Sequence, residues 1–133
     1  MMKHLTLLLM LFLACTALSR LQAQSLTNTH WKAYVGDPVL DTLTLHIKTD
    51  SSFVTATNGS IVVSSLCKVV KDTIWLSDFD GQYACPNMTG KYVYTVAADV
   101  LSFTLVEDPC DGRAGTLSTT KWKKTSGMMA KNP

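Results

Sequence analysis

"DTLTLHIKTDSSFVTATNGSIVVSSLCKVVKDTIWL" (Asp41–Leu76) alternates apolar and polar residues and is cut at intervals by dipeptides suited to tight turns. Asn58-Gly59 is the strongest of these, since both residue types accept positive φ; Thr49-Asp50 and Lys71-Asp72 are turns of the same length. A two-residue turn fixes register, because opposite partners in a hairpin share a face. Turning at Asn58-Gly59 sets Ala56 against Ile61 and Val54 against Val63. The Thr49-Asp50 turn pairs Leu45 with Val54 and Leu43 with Ala56; the Lys71-Asp72 turn pairs Val69 with Ile74 and Cys67 with Leu76. All three turns then place one apolar set on a single face: Leu43, Leu45, Ile47, Val54, Ala56, Ile61, Val63, Cys67, Val69, Ile74 and Leu76. Thr42, Thr44, His46, Lys48, Thr55, Thr57, Lys68 and Thr73 fall on the other. Agreement between turn chemistry and alternation is stronger than either signal alone.

The pattern extends in both directions. Turning at Ala98-Asp99 pairs Val96 with Leu101, Tyr94 with Phe103 and Tyr92 with Leu105. Strands are expected over 30–35, 40–48, 51–57, 60–70, 73–79, 90–97, 100–106 and 114–124. Short strands at this spacing mark an all-β fold, here an eight-stranded antiparallel up-and-down meander. Closure would remove its two open edges, with the first strand, carrying Trp31, beside the last, carrying Trp122. An eight-stranded barrel has room either for its own side chains or for one small ligand.

Ahead of this domain, "MMKHLTLLLMLFLACTALSRLQAQS" has a short basic start, an apolar run from Leu5 to Leu18 and a polar segment of small residues. That is the layout of a secretory signal peptide. Residues 1–23 are expected to be removed, leaving a barrel domain over 24–124 and a flexible tail over 125–133. The other processing route is lipidation at Cys15 within "LFLAC", which would anchor the protein to a membrane. The whole chain carries a formal charge of +2, and residues 1–23 hold Lys3 and Arg20 but no acid. An electrically neutral mature chain has no bias toward nucleic acid, and membrane contact is expected only through a lipid at Cys15.

The late part of the chain carries a Cys…Gly-x-Tyr…Asp-Pro-Cys-x-x-Arg block: Cys85, Gly90, Tyr92, Asp108, Pro109, Cys110 and Arg113. With Trp31 in the first strand and the run of hairpins, it resembles small secreted bacterial lipocalin-like domains of the calycin kind. The likeness covers nearly all of 28–124, although the Gly-x-Trp opening of lipocalins is replaced by Thr29-His30-Trp31. Small all-β domains of the META kind are the competing fold. The resemblance implies a closed barrel that binds a small hydrophobic molecule, and a structural pairing of Trp31 with the late basic residue Arg113. Arg113 can instead tie down its loop through Asp108 or Asp111, or act as an anion clamp at the barrel mouth.

Cys85 and Cys110 flank the Tyr92–Leu105 hairpin in polar context, one at each open end, and are expected to form a disulfide. Cys67 lies on the apolar face, as a small buried hydrophobe does. No Cys-x-x-Cys is present and no histidine lies at ligand spacing from a cysteine, so neither a metal nor a cofactor is expected. Enzyme signatures are thin: there is no Gly-x-Ser-x-Gly, His-Glu-x-x-His or phosphate-binding loop, and His46 falls on the polar face. The candidate ligand wall is Tyr92, Tyr94, Phe103, Leu101 and Leu105, which share the inward face. Binding of a small hydrophobic ligand in the barrel is the leading expectation. A packed envelope accessory or inhibitor domain acting through protein contacts is the second, and a calycin-type isomerase or cyclase the third.

Overall fold

The computed structural model describes residues 25–126. The expected signal peptide (1–23), lipidation at Cys15 and all but the first two residues of the expected tail lie outside the described residues. Eight antiparallel strands close in sequence order into one barrel: β1 (Thr29–Val35), β2 (Asp41–Ile47), β3 (Ser51–Thr55), β4 (Ile61–Val70), β5 (Thr73–Asp80), β6 (Thr89–Ala97), β7 (Val100–Glu107) and β8 (Trp122–Lys124). Closure runs through Trp31 opposite Lys124 and Lys32 opposite Lys123. Thr125 continues the seam, its N–H donating to the His30 carbonyl at 2.9 Å.

Most of the expected register is present. Leu45 opposes Val54, Val69 opposes Ile74, Cys67 opposes Leu76, Tyr94 opposes Phe103, and Tyr92 opposes Leu105. The Ala98-Asp99 turn has positive φ at both residues, 50° and 61°, as a type I′ hairpin turn requires.

The Asn58-Gly59 hairpin departs from its expected form. Gly59 N–H donates to Ala56 O and Ala56 N–H to Ser60 O, so three residues, not two, make the loop. Only Gly59 takes positive φ (84°), while Asn58 Oδ1 accepts from Ser60 N–H and Oγ–H. This is a turn closed by a glycine bulge. Register shifts between Val54 and Thr55, so Ile61 opposes Thr55 rather than Ala56. A one-residue slip reverses the faces: Ile61 is 55% exposed and Val62 is buried in its place.

The second departure is larger. Residues 114–119, read as the start of the last strand, belong to a helix, α1 (Asp111–Thr119). Its buried residues, Ala114 and Leu117, are three apart, which is helical and not strand spacing. Asp111 in the first turn favours the positive end of the helix dipole. Nine residues with two glycines are marginal as a free helix, so the anchors described below hold it. β8 is consequently only three residues long.

The connections divide the barrel into two unlike ends. Tight turns at 48–50, 71–72 and 98–99 gather at one end, with Leu26 packed into the core beside them. Trp31 is buried there, its Nε1–H donating to Thr29 Oγ1 at 2.7 Å. The opposite end carries the longer β1–β2, β3–β4 and β5–β6 connections and α1. These are the closed end and the mouth.

Candidate functional site: a part-filled barrel with a buried ion triad

Barrel strands send alternate residues inward, and here the inward residues fill only part of the interior. Tyr92, Tyr94, Leu101 and Phe103 occupy the β6–β7 side, with the Tyr92 and Phe103 rings edge to face at 6.1 Å. The β2–β5 side is left with a cavity of about 220 Å³. Its wall is mostly apolar: Leu43, Leu45, Val54, Val62, Leu76 and Trp122. Pro38, Val39, Tyr83 and Thr116 line it toward the mouth. None of the five residues expected to form the ligand wall lines this cavity. Four of them pack the barrel instead; Leu105 is 43% exposed, because β7 from Thr104 onward runs past the short β8. Both tyrosine hydroxyls are already used, Tyr94 donating to Lys71 O at 2.8 Å and Tyr92 to Asp108.

One polar row crosses the cavity wall. Ser52 on β3 lies opposite Ser65 on β4, which lies opposite Asp78 on β5. All three are buried and all line the cavity. Ser65 Oγ–H donates to Asp78 Oδ1 at 2.7 Å, and the Cys85 N–H donates to Asp78 Oδ2 at 2.9 Å. A period-two reading of "TIWLSDFD" (Thr73–Asp80) carries this signal, since Asp78 follows Ile74 and Leu76 on the inward face. An acid at an inward position is costly unless paired.

Its pair is Arg113, on the first turn of α1. Arg113 Nη1 lies 2.8 Å from Asp78 Oδ1, an ion pair without hydrogen-bond alignment. The rest of the guanidinium forms a two-pronged grip on Asp108, Nε to Oδ2 at 2.7 Å and Nη2 to Oδ1 at 2.8 Å. Nη2 also donates to Met88 O at 3.1 Å. All three side chains are at least nine-tenths buried. The partners of Arg113 are therefore Asp108 and Asp78. Asp111 is not among them, and Trp31 sits toward the other end of the barrel. With its fork occupied by two carboxylates, Arg113 holds loops together and is not free to clamp an external anion.

Burial works against the charge on Asp108, but hydrogen bonds from Arg113, Tyr92 and the Cys110 N–H outweigh it and hold the carboxyl below its ordinary range. Burial likewise opposes the charge on Arg113, and Asp108 and Asp78 reverse that, keeping it firmly protonated. The Tyr92 hydroxyl is pushed up by burial and by Asp108 beside it. Gly90 is required here, because a β-carbon on residue 90 would overlap the Asp108 carboxylate.

The Cys85–Cys110 disulfide is present, and both cysteines line the cavity near the mouth. Cys110 immediately precedes α1, so the bridge and the ion triad fix the helix start to the β5–β6 connection. Cys67 is free and buried, its thiol pushed up to about 11 by burial and by nearby Asp50. Among the described residues no group of three or more His, Cys, Asp or Glu is placed to hold a metal, and no helix is long and apolar enough to cross a membrane. Comparison with protein-family models, with curated proteins and with solved structures finds no match.

Proposed function

We propose that this closed barrel is an exported, lipocalin-like carrier or sensor of a small hydrophobic molecule. The carrying observation is the cavity of about 220 Å³ inside the barrel, apolar on most of its wall and bounded at the mouth by Pro38, Val39 and Tyr83. A cavity of roughly 150 Å³ accommodates benzene, so this one suits a ligand of about nine non-hydrogen atoms. Export is supported by the disulfide, a bond that persists in oxidising compartments, and by the signal-like start of the sequence.

Ethylbenzene is a suitable neutral probe. Titration calorimetry on the mature chain should show saturable binding, and Val54→Trp, which fills the cavity from its wall, should weaken it at least tenfold while leaving the circular dichroism spectrum unchanged. Absence of saturable binding to the native protein would refute this reading.

A second reading, a domain acting through protein contacts, draws on a different observation. Leu40, Ile61, Phe79, Tyr83 and Met88 are exposed apolar residues that all lie at the mouth end. Exposed apolar patches of this kind mark interaction surfaces.

A further inference from the structure

The cavity carries a charge and hydrogen-bond pattern that restricts what it can hold. Asp78 and Asp108 share one guanidinium, Arg113, so the triad beside the cavity has a net negative charge, with Asp78 and Arg113 on the lining itself. Exposed acids at the mouth, Asp37, Asp80, Glu107 and Asp111, add to the same sign. Lys48, Lys71, Lys123 and Lys124 belong to the closed end, and Lys91, opposite Glu107, is a base on the mouth side that leaves the acids there in excess. An anionic head would therefore approach a negative mouth and settle beside a negative cluster with little solvent to screen it.

The hydrogen-bonding side of the pattern points the other way. Among the described residues, two fully buried side-chain nitrogens have no hydrogen-bond partner: Arg113 Nη1 and Trp122 Nε1. Both belong to residues that line the cavity. Indole and guanidinium nitrogens are donors only, and leaving such a donor buried and unmatched carries a desolvation cost. Arg113 Nη1 already faces Asp78 Oδ1 at 2.8 Å, so the nitrogen that lacks an acceptor is Trp122 Nε1. An ammonium head brings more donors and a positive charge toward Arg113, and so does not match Trp122 Nε1.

From these facts we infer that the ligand is an uncharged molecule bearing a hydrogen-bond acceptor, such as a ketone, ester or alcohol, and neither a carboxylate nor an amine. Its hydrocarbon part packs on Leu43, Leu45, Val54 and Leu76, while its acceptor satisfies Trp122 Nε1. The inference rests on the reading of the barrel as a ligand holder and adds the chemical class.

A near-isosteric series separates the two levels: ethylbenzene, acetophenone, benzoate and benzylamine, titrated calorimetrically at pH 7 into the mature protein. Acetophenone should bind at least tenfold more tightly than benzoate and benzylamine, and more tightly than ethylbenzene. Asp78→Asn, which removes the surplus charge, should narrow the acetophenone-to-benzoate ratio at least fivefold. Trp122→Phe, which removes one donor, should narrow the acetophenone-to-ethylbenzene ratio. The series on the native protein decides the matter even where a variant fails to fold. Tighter binding of benzoate or benzylamine, or equal binding of acetophenone and ethylbenzene, overturns the assignment of class and leaves ligand holding intact. Failure of all four to bind overturns ligand holding itself.

Discussion

Arg113 shows how one side chain organises the mouth. Breaking a buried ion pair by removing one partner costs about 3–5 kcal/mol, since the other charge is left unpaired; here two carboxylates are stranded. Arg113→Met should be destabilised by that amount at pH 7 in urea titrations. The pH dependence should also reverse. In the native protein the Asp108 carboxyl is held below its unfolded value, so its stabilisation is complete above about pH 4 and is lost as pH falls through the lower folded value. Removing Arg113 takes away the strongest of the groups that oppose burial, so the folded value is expected to rise. It passes the unfolded one if burial then exceeds the Tyr92 and Cys110 hydrogen bonds. The variant should then gain stability on acidification from pH 7 toward pH 4, where the native protein gains none. A variant that tracks the native protein in both respects would show that the triad contributes nothing net.

At the scale of elements, hairpins were legible and the helix was not, for a physical reason. Thr49-Asp50, Lys71-Asp72 and Ala98-Asp99 lie between strands whose apolar residues alternate, so turn and pattern reinforce each other and set the register. Asn58-Gly59 located its hairpin, but the same dipeptide serves two-residue and three-residue loops, and that ambiguity turned Ile61 outward. α1 has weak intrinsic propensity and forms because Arg113 and the Cys110 bridge fix its first turn, contacts distant in sequence. The candidate site was legible in its cysteines and in Arg113. Its cavity was not, since alternation names the inward residues without saying which half of the barrel they leave unfilled. The Ala98-Asp99 turn offers a test of local chemistry: both residues occupy the left-handed region, which costs an ordinary L-residue roughly 1–2 kcal/mol. Ala98→Asn combined with Asp99→Gly should therefore raise stability by about 1 kcal/mol, measured as a higher urea midpoint at unchanged slope. A lower midpoint would mean that the native side chains make contacts worth more than the backbone relief.

For the whole molecule, the bridge and the triad fasten α1 where a full-length eighth strand would otherwise lie. Linking residues 25 positions apart should contribute about 2–4 kcal/mol, so Cys85→Ser with Cys110→Ser should lower the unfolding free energy by that much. Because both cysteines border the cavity, ethylbenzene binding should weaken in the same variant; unchanged affinity would separate the clasp from the site. The strand order has a further result. β1 begins and β8 finishes at the end with the tight turns, so both strand ends lie on the side away from the mouth. A body docked against that closed end would therefore leave the opening of the barrel facing outward, unobstructed to whatever diffuses past.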